Sequence, residues 1–364
     1  MNAVAHSKSS PVETKNSIVQ PWRGVIGLVA IVALSNLLIS RFNQQQFTTW
    51  VSFIWIACVP AQIVIGFLWK PAGFPGWIAK LPQPAKGACY TALATGIGLV
   101  AASAIFAIIG LGVTPPRPPV VMYSILTVIL TFWFVIVWQF WPASIWTRAP
   151  AALGAGCFVF AYGIGFGLFR AFFNFDFLQG SGLYVESMNP HGLFSAWAAI
   201  SFGVLTIAVL FAFVMLDFWP LSSDLTRQPM RGTKISLSII AVAASIFEMV
   251  IGQFRLDVVK FLSYESVPFI FGSLVVIQIF EDRPLGSLRQ PWKGLCRVAM
   301  CGAVGCFLNL GYLRLARWYV GALIGGPPAY AAEIWISSAL LAVTFPLIVI
   351  ACEFLEFWPL KRCT

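Results

Sequence analysis

The chain has 364 residues, of which 59% are hydrophobic and 10% charged, with a mean hydropathy of +0.85. Soluble domains carry about 25% charged residues, so this composition excludes a soluble globular fold, a disordered chain and a disulfide scaffold. Lys and Arg number 23 against 13 Asp and Glu, a net charge of +10; in a lipid-embedded chain that excess marks cytoplasmic loops, not a nucleic-acid partner.

Residues 1–19 are polar and lack an apolar core, which predicts a flexible cytoplasmic tail and not a cleavable signal. Apolar stretches follow at 24–40, 50–69, 87–113, 120–141, 150–169, 193–216, 235–253, 267–281, 294–313 and 330–352. Most approach or exceed the roughly 20 residues that cross a bilayer as a helix. They predict an all-α polytopic membrane protein, with residues 20–364 forming a single transmembrane domain. If the N-terminus is cytoplasmic, only Arg41, Arg117, Arg170, Arg255, Lys260, Arg314 and Arg317 lie outside, and the other 16 basic residues lie inside. The positive-inside rule then places both termini in the cytoplasm; the expected location is the inner membrane of a bacterium.

Internal similarity is the most specific signal. The string Gln-Pro-x-(Arg/Lys)-Gly occurs at Gln20–Gly24, Gln83–Gly87, Gln228–Gly232 and Gln290–Gly294, each time directly before an apolar span. Arg148-Ala149-Pro150 is a degenerate copy, and Phe-Trp-Pro recurs at Phe140–Pro142, Phe218–Pro220 and Phe357–Pro359. A weaker counterpart runs from Phe280 to Pro284. The alternation predicts five tandem two-helix units at 20–82, 83–148, 149–227, 228–289 and 290–360. Pro suits a helix's first turn, where an N–H would lack a partner. Arg23, Lys86, Arg231 and Lys293 are then anchors reaching lipid phosphates, and Trp141, Trp219 and Trp358 are interfacial rings.

Chemistry is sparsely provided for. His6 and His191 are the only histidines, and the eight cysteines form no C-x-x-C. No metal, cofactor or catalytic residue is expected, and the cysteines read as packing residues. Gly163 and Gly167 have the spacing of a close helix contact. Ionisable residues in or beside spans are the candidates for a solute or proton path, because charge at membrane depth is costly. Glu248 lies inside the seventh span, with Arg255 two turns on and Asp257 behind it. Arg170, Asp176 and His191 belong to the longest loop, and Arg314 and Arg317 precede Glu333 at the start of the last span.

Transport of a small anionic or hydrophobic solute is the reading these features favour. The alternative is a non-catalytic subunit whose bundle docks a partner membrane protein. An integral enzyme would need a carboxylate–imidazole pair, for which only His191 with Asp176 or Glu186 is available. The bilayer is the partner common to all three.

Overall fold

A computed structural model describes residues 18–221, 226–280, 288–327 and 329–360. The expected tail over 1–17, Arg283 and Pro284 of the Phe280–Pro284 counterpart, and the basic pair Lys361 and Arg362 lie outside the described residues. Among the described residues ten helices are long and apolar enough to cross a membrane: α1 (Trp22–Ile39), α2 (Gln44–Trp69), α3 (Ala85–Ile108), α4 (Pro118–Val137), α5 (Pro150–Phe172), α6 (Ala196–Met215), α7 (Met230–Gln253), α8 (Val258–Ile279), α9 (Trp292–Tyr319) and α10 (Ala331–Phe354). The fold is the all-α polytopic architecture that the composition predicts. Its one strand pair among the described residues is β1 (Phe173–Asn174) beside β2 (Phe194–Ser195), in parallel.

Helix ends differ from the apolar runs where polar residues take part in a helix. α8 starts nine residues earlier than hydropathy suggests, because the Asp257 carboxylate accepts the Val259 and Lys260 amides and caps it. α9 continues through Arg314 and Arg317 to Tyr319.

Burial alternates along the chain. In their most apolar windows the odd-numbered helices are 17–33% buried and the even-numbered ones 61–72%. The even helices form a closed ring, with α2 packed on α4, α4 on α6, α6 on α8, α8 on α10, and α10 on α2. Each odd helix seats mainly against two ring helices: α1 against α8 and α10, α3 against α10 and α2, α5 against α2 and α4, α7 against α4 and α6, α9 against α6 and α8. An outer helix therefore needs only a narrow inward strip. That of α5 is Gly154, Cys157, Ala161, Gly165 and Phe169, and that of α3 runs from Gly87 through Tyr90, Ala94, Gly98 and Ala102 to Ile105. Steps of three and four keep such residues on one face, and their small size lets backbones approach. Gly163 and Gly167 lie off this strip with nothing against them, so the contact expected at that spacing is displaced onto neighbouring positions.

The Gln-Pro strings join the two layers. In each, the Gln Oε1 accepts the amide of the Gly four residues on, at 3.1, 3.2, 3.0 and 3.0 Å for Gln20, Gln83, Gln228 and Gln290. The Nε2 groups donate to the carbonyls of Ile279, Phe354, Val137 and Met215 at 2.9, 2.8, 2.9 and 3.4 Å. Those acceptors are the last residues of α8, α10, α4 and α6, whose carbonyls have no partner within their own helices. α5 lacks the Gln; there Trp69, which ends α2, donates its Nε1 to the Pro150 carbonyl at 2.8 Å. Pro21, Pro84, Pro229 and Pro291 occupy the cap position just before the helix, one place earlier than the first turn expected for them.

The ring axis is filled. A cavity of about 50 Å³ lies there, walled by aliphatic and Phe side chains from all five ring helices, among them Ile56, Ile129, Ile207, Ile270 and Phe345.

Candidate functional site

The outer layer is least tightly seated between α5 and α7. α3 and α9 lie backbone-close on the ring: Gly305 of α9 meets the Pro268 carbonyl with no room for a Cβ, and Gly98 of α3 does the same against Cys58. α7 has no such contact beyond its first turn and is the least buried of the ten. Between α5 and α7 runs a groove of about 880 Å³, floored by α4 and α6. None of its lining residues is charged. Along α4 and the residue that caps it, the groove extends from Leu126 to Trp138, about 18 Å at roughly 1.5 Å per residue. Its walls include Ile164 and Ile240, which are 44% and 43% exposed, so it opens sideways toward lipid. Stacked rings mark its ends: Trp138 with Trp141 at 5.2 Å at the Gln-Pro end, and Phe172 with Phe194 at 5.9 Å at the opposite, loop end. Such a surface holds hydrocarbon and offers almost nothing to an ion.

Over the loop end lies the 173–195 connection. Asn189, 5% exposed, organises it: its Oδ1 accepts the Phe175 and His191 amides at 3.0 and 3.1 Å, and its Nδ2 donates to Asp176 at 2.7 Å. His191 stands between two carboxylates, with Nε2 3.0 Å from Glu186 and Nδ1 3.6 Å from Asp176. The Tyr184 hydroxyl donates to Glu186.

Asp257 and Glu333 form a second polar group at the loop face, on neighbouring ring helices. The Asp257 Oδ2 accepts the Tyr330 hydroxyl at 2.7 Å. Glu333 is 1% exposed and accepts the Gly326 amide on both oxygens, at 3.0 and 3.1 Å. Burial pushes the Asp257 carboxyl up, but the Tyr330 hydroxyl, the Lys260 and Val259 amides and the Lys260 ammonium together hold it below the ordinary carboxylate value. Tyr330 is pushed up to about 12, first by burial and then by donating to the Asp257 anion.

The remaining candidates stand apart. Glu248 lies on the exposed side of α7, folded over Gly252, and does not line the groove. Arg255 turns the chain between α7 and α8 at φ +53, and Arg170 is exposed near the end of α5. Arg314 and Arg317 line a shallow hollow with Trp318 on the outside of α9, away from Glu333. Among the anchors, Arg23 is fully buried, its guanidinium 5.6 Å from the Phe357 ring centre, and does not extend into headgroups. Lys86, Arg231, Lys293 and Trp141 are half-buried, while Trp219 and Trp358 are 46% and 44% exposed. Sequence reading missed the groove entirely, since its walls are ordinary apolar residues of four helices. It also missed the Gln of each string, although four copies in one chain were a signal for it.

Among the described residues no group of three or more His, Cys, Asp or Glu is placed to hold a metal ion. Comparison with known proteins adds no relative: no family model, curated protein or solved structure matches the chain.

Proposed function

We propose that this multi-pass membrane protein is a permease-like carrier for a lipophilic solute, taken from the bilayer into the groove between α5 and α7. The single observation behind this is an uncharged, lipid-facing groove of about 880 Å³ that follows the helices toward both membrane faces. A hydrophobic occupant gains from leaving water and meets no desolvated charge. The solid ring axis argues against an ion pathway through the centre. Five tandem units in one orientation would account for the shared Gln clips, and the basic excess at the Gln-Pro face supports a cytoplasmic position for that face and both termini, in the inner membrane of a bacterium on this reading. On this reading a cysteine replacing Ile324 is labelled by an impermeant reagent from outside the cell, and one replacing Trp146 is not.

Ile240→Trp tests the carrier. It fills the groove from the loosely seated α7, so saturable binding of a neutral fluorophore such as N-phenyl-1-naphthylamine should weaken roughly tenfold in reconstituted vesicles. Unchanged binding with intact folding overturns the reading. A non-catalytic partner subunit is the second reading, favoured by the solid axis; it requires a stoichiometric membrane partner that stays bound in mild detergent.

A further inference from the structure

The loop end of the groove is built from the 173–195 connection itself. Phe172, Phe173 and Phe194 line that end. The returning arm is stitched beside α5 by the Gly192 amide donating to the Phe173 carbonyl at 2.7 Å and the Leu193 amide to Ala171 at 3.0 Å. Gly192 presses on the Phe172–Phe173 backbone with no space for a Cβ. Phe194 is nonetheless 55% exposed, so few side-chain contacts hold the arm down. What fixes its start is His191, at φ +51, with Glu186 3.0 Å from Nε2 and with Asp176 at 3.6 Å and the Asn189 amide nitrogen at 3.3 Å from Nδ1.

We propose that residues 173–195 form a strap over the loop-face mouth of the groove, closed by protonated His191 between Asp176 and Glu186 and loosened when that proton leaves. The proposal rests on reading the groove as the solute site. An imidazolium donates from both ring nitrogens, whereas neutral imidazole donates from one and has no charge to hold two anions. Histidine changes charge in the pH range cells use. The groups that bear on it are Asp176, Glu186 and Tyr184 on the strap, and Arg117 before α4, whose Nη1 donates to the Gly182 carbonyl of the strap at 3.0 Å. Beyond Phe177 and Trp197 come Tyr330, Asp257 and Lys260. Asp176 and Glu186 are 45% and 70% exposed, so the closing force is modest.

The test reads the strap directly. A cysteine replacing Phe194, with exposed Cys296 and Cys306 changed to Ala, is reacted with a water-soluble maleimide at about pH 5.5 and about pH 8. Its rate is divided by that of a cysteine replacing Ile324, which cancels thiol ionisation. The corrected rate should be about two- to fivefold faster at the higher pH. His191→Gln should abolish the difference, and His191→Lys should keep the slow rate at both pH values. A corrected rate independent of pH, or a difference surviving in His191→Gln, overturns the strap. If the rates behave as expected but Ile240→Trp leaves fluorophore binding unchanged, the groove reading fails and the strap stands as a pH-sensitive loop.

Discussion

Gln83 holds α3 to the end of α10 with two hydrogen bonds, one to a helix-start amide and one to a helix-end carbonyl. Gln83→Leu keeps the volume and leaves both backbone groups without that partner. Stability in detergent should fall by about 1–3 kcal/mol, read as a lower midpoint of thermal unfolding. The Asp257–Tyr330 bond makes the loop face sensitive to pH at both extremes. Because the Asp257 carboxyl lies below its unfolded value, its contribution is present above about pH 4 and is lost as acid protonates it. Tyr330, pushed up to about 12, contributes below about pH 10 and loses that contribution as pH rises through its folded value. Unfolding midpoints should therefore be flat in the middle and fall on both sides. In Tyr330→Phe the alkaline fall should shrink.

At the scale of elements, four of the five ring helices end alike. α2, α4, α8 and α10 finish in a π-turn, at Ile65–Trp69, Trp133–Val137, Val275–Ile279 and Val349–Phe354. Two left-handed residues then reverse the chain before three of the Trp-Pro steps: Gln139 and Phe140, Asp217 and Phe218, Glu356 and Phe357, at φ between +50 and +62. Side chains rarely tolerate that region, at a cost of about 1–2 kcal/mol each. Gln139→Gly should therefore stabilise the protein by up to about 1 kcal/mol, measurable in the same melt. Part of this was legible in the sequence: Gln-Pro at helix starts and Trp-Pro after helix ends. The early start of α8 was not, since Lys260, Ser263 and Glu265 break the apolar run while the Asp257 cap holds the backbone helical.

For the whole molecule, closing the ring matters most where the first and last helix pairs meet. Lys70, at the end of α2, pairs with Glu356 at 2.9 Å and also donates to the Glu353 carbonyl, both just past or within the end of α10. Both side chains are partly shielded, at 15% and 32% exposure. Lys70→Ala should lower stability by about 1 kcal/mol and weaken this seam while the other ring contacts remain. A fall in the melt that high salt reproduces in the parent protein is the expected signature.

Composition and hydropathy by themselves determined that lipid is the solvent, that the helices number ten, and roughly where each begins, because burying backbone in hydrocarbon permits few alternatives. The copies of the Gln-Pro string also located the starts of four of the five outer helices. Which helices form the ring, that its axis is closed by aliphatic side chains, and that α5 and α7 part to leave a groove were decided only in three dimensions. Apolar residues facing lipid and apolar residues facing protein look the same in a sequence, and only packing tells one from the other. The charged candidates divided for a related reason. Asp257 and Glu333 both come to lie near Tyr330 because their helices are neighbours in the ring, whereas Glu248 sits on an outer helix whose far side faces away from the protein.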